Sequence, residues 1–227
     1  MTLPIFPVHL FNPGTVRVGV KQNVIDGGTA INGEQTVIAT DGGGRWEIMF
    51  SDISISNPRI ERYYRQWTSF LAGGAGICLV PLLSLKTAPR PALGRSPMRV
   101  SELYTNDTVF PTETRFASPY IVAETVGSAA LRATSIVIDV TRGSRIVGGE
   151  TFGTGERAHI IERVTAVSGQ QATCTISPPT RGAIADATPV NFEWPYVKCR
   201  AVIGQDSAPE LSFGYGRVSF SFVEDFS

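Results

Sequence analysis

A chain of 227 residues is long enough for one large β domain or two small ones, and it can bury about 70% of its unfolded surface without disulfides or metal. Its 20 Lys and Arg balance 20 Asp and Glu, so no net field holds it on nucleic acid or an anionic membrane, and any electrostatic function must be local. No apolar run reaches the roughly 18 to 20 residues that span a bilayer, and Met1–Pro13 has no signal-peptide pattern, which predicts cytoplasmic synthesis without membrane insertion.

The 23 Gly and 15 Pro suit short strands joined by tight turns. In chain order, Val16–Val20 alternates apolar with other residues, Thr36–Thr40 is β-branched, and Trp46–Ile55 is a long apolar-rich run. Turns at Asp26-Gly27-Gly28, Ile31-Asn32-Gly33 and Asp41-Gly42-Gly43-Gly44 make this an expected antiparallel meander. A helix follows. Asn57 is its N-cap, Pro58 takes the first helical position, and Ile60, Tyr64, Trp67 and Leu71 form an apolar stripe that ends at Gly73-Gly74. Ile77–Leu83 then reads as a buried strand with the helix packed on its sheet.

Between Ser84 and Arg99 the composition changes. Pro89, Pro91 and Pro97 break regular structure, Lys86, Arg90, Arg95 and Arg99 supply charge, and no acid occurs between Glu61 and Glu102, so the segment reads as a long loop out of the first domain. Ser135–Val140, His159–Val167, Ala172–Ile176 and Pro189–Phe192 are expected strands of a second small barrel. The end of the chain gives a hairpin, Val197–Ile203 and Leu211–Val223, turning at Asp206–Pro209. Val218, Phe220 and Phe222 alternate there with Ser219 and Ser221. The predicted fold is mainly β: residues 1–88 and 198–227 form a β-sandwich with one packed helix, and 89–197 form an inserted OB-like β-barrel.

The residues that could carry chemistry are sparse. Cys78, Cys174 and Cys199 lie far apart outside any C-x-x-C pair and read as small buried apolar groups. His9, in a Pro-flanked N-terminal strand, and His159 cannot build a three-histidine metal site, and no Ser or Cys lies in a nucleophile turn. Gly153-Thr154-Gly155 and the glycines around Gly42 lack the Lys-Ser/Thr pair and helix of a phosphate loop. Glu150 with Glu156, or Glu224 with Asp225, could form a glycosidase carboxylate pair, yet neither pair has a Trp/Tyr-rich neighbourhood, so solvated charge is the better reading. The pattern designates no catalytic, cofactor-binding or metal-binding residue, and it implies a non-enzymatic protein.

The opening Leu3-Pro4-Ile5-Phe6-Pro7-Val8-His9-Leu10-Phe11-Asn12-Pro13 resembles the start of tail-region proteins of alphaproteobacterial phages and prophages. The resemblance continues through Asp41–Trp46, the helix containing Trp67 and Leu71-Ala72-Gly73-Gly74-Ala75-Gly76, then through Phe152–Glu162, Ile176–Arg181 as the closing segment of a small barrel, and Val218–Phe226. It spans most of the chain except roughly 91–130. Such proteins are similar to siphophage distal tail proteins. That resemblance implies a hexameric ring joining the tail tube protein to the hub or baseplate proteins at the virion tail tip, with DNA passing through only as transient cargo. It implies no cofactor. The alternative is a tail-associated module that recognises a host-surface glycan or protein, and a cell-wall hydrolase comes last.

Overall fold

The computed structural model describes residues 3–22, 24–29, 31, 33–39, 43–84, 86–89, 101–102, 116–117, 121–203, 211–212 and 215–227. In chain order the elements are α1 (Val8–Phe11), β1 (Thr15–Lys21), β2 (Val24–Thr29), β3 (Gln35–Ala39), β4 (Arg45–Ile55), α2 (Pro58–Leu71) and β5 (Ile77–Pro81). They continue with β6 (Ser101–Glu102), β7 (Phe116–Ala117), β8 (Val122–Thr125), β9 (Ser135–Arg142), β10 (Thr151–Thr154), β11 (Arg157–Ser168), β12 (Gln171–Ser177), β13 (Tyr196–Ala201), β14 (Leu211–Ser212) and β15 (Tyr215–Glu224). The protein is mainly β, and its sheets include a curled half-barrel. No helix among the described residues is long and apolar enough to cross a membrane.

Two compact units divide the chain: Met1–Leu82 with Ser177–Arg181 and Tyr196–Ser227, and Leu83–Ile176 with Gly182–Pro195. Of Ile176–Arg181, which the resemblance implies closes the second barrel, Ser177–Arg181 groups with the first unit. The first unit is built on a six-stranded sheet of order β1-β4-β15-β13-β5, with β14 paired to the start of β15. Period-two alternation puts Trp46, Ile48 and Phe50 of β4, Phe220 and Phe222 of β15, and Val197 and Cys199 of β13 into the core. The final strand lies against β4, with Phe222 opposite Ile48 and Phe220 opposite Phe50.

The expected meander is corrected here. β1 pairs with β4, Val18 opposite Ile48 and Lys21 opposite Arg45, whereas β2 and β3 form a separate two-stranded ribbon. The reason is compositional. Val16, Val18 and Val20 offer an apolar face matching that of β4, while the polar and glycine positions of Asp26-Gly27-Gly28-Thr29 offer none. At the opposite side of the sheet, the edge of β5 is covered by the N-terminal segment: Phe6 N–H donates to Leu79 O (2.8 Å) and Leu79 N–H to Pro4 O (2.9 Å).

Helix α2 starts as its sequence predicts. The Asn57 side chain accepts from the N–H groups of Arg59 and Ile60, both at 3.0 Å, and Pro58 follows it. Asn57→Ala should therefore lower stability by about 1 kcal/mol in denaturant melts, and an unchanged midpoint would show that the cap contributes nothing. The helix ends at Leu71, and its left-handed cap falls on Ala72 (φ 43°), one residue before the expected glycines. Its stripe reaches the sheet through Tyr64, whose ring lies 5.3 Å from Phe220, and the N-terminal segment through Trp67, set edge-on to Phe6 at 5.3 Å.

The second unit carries a five-stranded antiparallel sheet of order β10-β11-β12-β9-β8. Ile138, Phe152, Ile161, Cys174 and Phe192 lie within its core. Pro189–Phe192, expected as a strand, contributes only isolated bridges, Pro189 to Glu124 and Asn191 to Gly153. Pro189 lacks the N–H that a regular ladder would need there. The turn at Asp206–Pro209, the cations Arg90, Arg95 and Arg99, and most of 91–130 lie outside the described residues.

Candidate functional site

The face of the first unit's sheet opposite the aromatic core carries the residues that alternate with it. Arg17 and Lys21 of β1 are four apart on one strand and so point the same way. The register sets Arg17 opposite Met49 and Lys21 opposite Arg45, and Arg200 of β13 lies opposite Val223 of β15. Together they line a cavity of about 670 Å³ whose charged lining is Arg17, Lys21, Arg45 and Arg200 against Glu47 and Glu224.

Glu47 is shared by Lys21 and Arg45, each 3.4 Å away. Glu224 is already engaged. Its side chain is 1% exposed, Trp46 N–H donates to Oε2 (3.1 Å), and the Arg181 Nε lies 3.6 Å from Oε1. Arg181 also donates to Gly44 O and stacks over the Phe226 ring at 4.4 Å, so one guanidinium ties the start of β4 to the C-terminal tail. Gly44 is needed in that turn: it sits at φ 80°, and a Cβ there would meet Lys21 O at 2.6 Å. Asp225 pairs with Arg200 at 2.8 Å. Burial alone would raise its carboxyl, but the hydroxyl and N–H of Ser227 together with Arg200 hold it below the ordinary carboxylate range. With Glu224 and Asp225 so occupied, the cations of the β1 and β4 side dominate the open part of the cavity. The surface suits an anionic or acidic partner.

The residues weighed for chemistry are placed elsewhere. His9 is exposed on the short helix α1, not on a strand, because Pro7 and the turn closed by Asn12 N–H to Val8 O (2.9 Å) bend the segment. His159 is buried on β11, its ring 5.5 Å from that of Phe152. All three cysteines are buried. Burial pushes the Cys78 thiol up to about 12. Burial, followed by the charge of Glu150, pushes Cys174 to about 11, so both stay protonated at neutral pH. Cys78 and Cys199, 121 positions apart in sequence numbering (199 − 78), are cross-strand neighbours. Glu150 is buried and closes its own turn, accepting from Val147 N–H (2.8 Å) and Gly148 N–H (2.7 Å), whereas Glu156 is exposed in the β10–β11 turn. Gly155, at φ 64°, makes that turn. Among the described residues no group of three or more His, Cys, Asp or Glu could hold a metal ion.

Sequence reasoning missed the cationic face, because Arg17, Lys21, Arg45 and Arg200 meet only through strand register. The one local signal was Lys21 and Arg45, which bracket a stretch, Gln22–Gly44, that contains no Lys, Arg or His. Neither a known protein family nor a curated protein matches the chain.

Proposed function

We propose that this chain is a non-enzymatic structural subunit of a phage tail tip, a ring-forming distal tail protein that connects the tail tube to the hub or baseplate. In this reading the first unit is the β-sandwich ring domain and the second an inserted OB-like barrel. The observation that carries the reading is the β2–β3 ribbon. Among the described residues its strands pair only with each other, and every residue of it whose side chain is described is exposed, including Ile31 and Val37. An isolated two-stranded ribbon is marginal in water, so a surface on another molecule is the natural source of its order. A repeated contact of one patch with a different patch on the next copy generates a ring when the rotation closes.

The test is the mass of the purified chain in solution together with negative-stain images. Closed rings about as wide as a tail tube are the expected result, each neighbour contact burying more than about 1,000 Å². A strictly monomeric chain would sink the reading. A monomer that retains host envelope material would favour the second reading, a host-surface binding module. That alternative draws on the half-exposed Trp194 of the second unit, whose main chain is pinned by Asn191 through Nδ2 to Trp194 O (2.7 Å) and Trp194 N–H to Oδ1 (3.0 Å).

A further inference from the structure

We propose that the β2–β3 ribbon of one copy docks into the cationic cavity on the sheet of the next copy, and that this contact is the repeating bond of the assembly. The inference rests on the ring reading and names the two surfaces that would join.

The ribbon is an acidic arm. From Gln22 to Gly44 the sequence holds Asp26, Glu34 and Asp41 and no cation. Asp26 and Glu34 are exposed. Asp26 accepts from Gly28 N–H (2.9 Å) and Gln35 Nε2 (3.3 Å), bonds that orient the carboxylate without neutralising its charge. Between the strands stands Ile31, fully exposed, with Val37 exposed on β3. The ribbon follows the last β1–β4 pair, Lys21 opposite Arg45, and its six-residue strand β2 is about 20 Å long.

The cavity has the complementary pattern. Glu47, paired with Lys21 and Arg45, shares this lining with the further cation Arg17, and the rim adds Met49, Val202 and Ile203, all exposed apolar side chains. Acidic groups at the sides of the ribbon and an apolar group at its turn would thus meet cations and an apolar rim. The ribbon does not fill the cavity of its own chain, since its described side chains are exposed. Arm and cavity are different patches present once per chain, so the contact is heterologous and propagates from copy to copy.

Charge exchange tests this directly. The full-length wild-type chain is compared by native mass spectrometry and negative-stain imaging with an arm variant, Asp26→Lys/Glu34→Lys, and a cavity variant, Arg17→Glu/Lys21→Glu. The wild type should form rings, and each variant alone should lose about ten-fold or more of its assembled fraction, because like charges then face each other at every contact. An equimolar mixture should recover rings in which the two variants alternate, seen as an even subunit number with equal content of both masses. Recovery also shows that both variants are folded. Full assembly by either variant alone overturns the arm-in-cavity contact and leaves the ring reading standing, as does failure of the mixture when both variants melt like wild type. A monomeric wild-type chain overturns both.

Discussion

Phe6→Ala should lower stability by about 3 to 5 kcal/mol, the range for emptying a fully buried aromatic site. Phe6 is 1% exposed. Five rings surround it: Phe222 at 4.8 Å, Phe220 at 5.0 Å, Phe11 and Trp67 at 5.3 Å each, and Phe50 at 5.5 Å. These come from α1, β4, α2 and β15, so the cavity left behind could not collapse without moving several elements at once. The same residue anchors the N-terminal segment on the edge of β5 through its N–H bond to Leu79 O. Phe6→Leu, which retains most of the volume, should cost less than about 1.5 kcal/mol. Denaturant melts of the two variants decide the matter. A loss below about 1 kcal/mol for Phe6→Ala would mean that the segment is an appendage and not part of the core.

A comparable loss, about 3 to 5 kcal/mol, is expected for Arg181→Met, for an electrostatic reason. Removing the guanidinium takes away the cation 3.6 Å from the Glu224 carboxylate, whose side chain is 1% exposed, and breaking one side of a buried pair costs more than the pair itself contributes. The stacking on Phe226 and the bond to Gly44 O go with it. Adding Glu224→Gln to Arg181→Met should recover a large part of the loss, since a neutral amide is cheaper to bury than an unpaired charge. Thermal melts of the wild type, both single variants and the double variant close this cycle. A double variant that is less stable than Arg181→Met alone would show that Arg181 acts through packing and not through Glu224.

Much of the local structure was legible in the sequence because its causes are local. The alternation of Val218, Phe220 and Phe222, the apolar run Trp46–Ile55 and the Asn57-Pro58 helix start each specify backbone geometry through a few neighbouring residues, and β15, β4 and α2 form where those signals lie. The mainly β class follows from the same signals. Even the small departures have local reasons: Ala72 accepts the left-handed cap one residue before Gly73, and Pro7 turns the segment carrying His9 into α1 in place of a strand.

Strand pairing depends on distant residues, and there only the tertiary structure decided. Nothing near Val16 says that its strand will skip β2 and β3 to lie beside β4, because that choice rests on matching apolar faces across the intervening ribbon. Likewise Cys78 and Cys199 read as scattered until antiparallel register set them opposite each other. The cationic cavity is the clearest case. Arg17, Lys21, Arg45 and Arg200 belong to three strands, β1, β4 and β13, and no window of sequence contains them all. Composition determined that the chain has no net charge. Folding decided where the charges gather, because alternation sends every second residue to the same face and register then aligns those residues across the sheet.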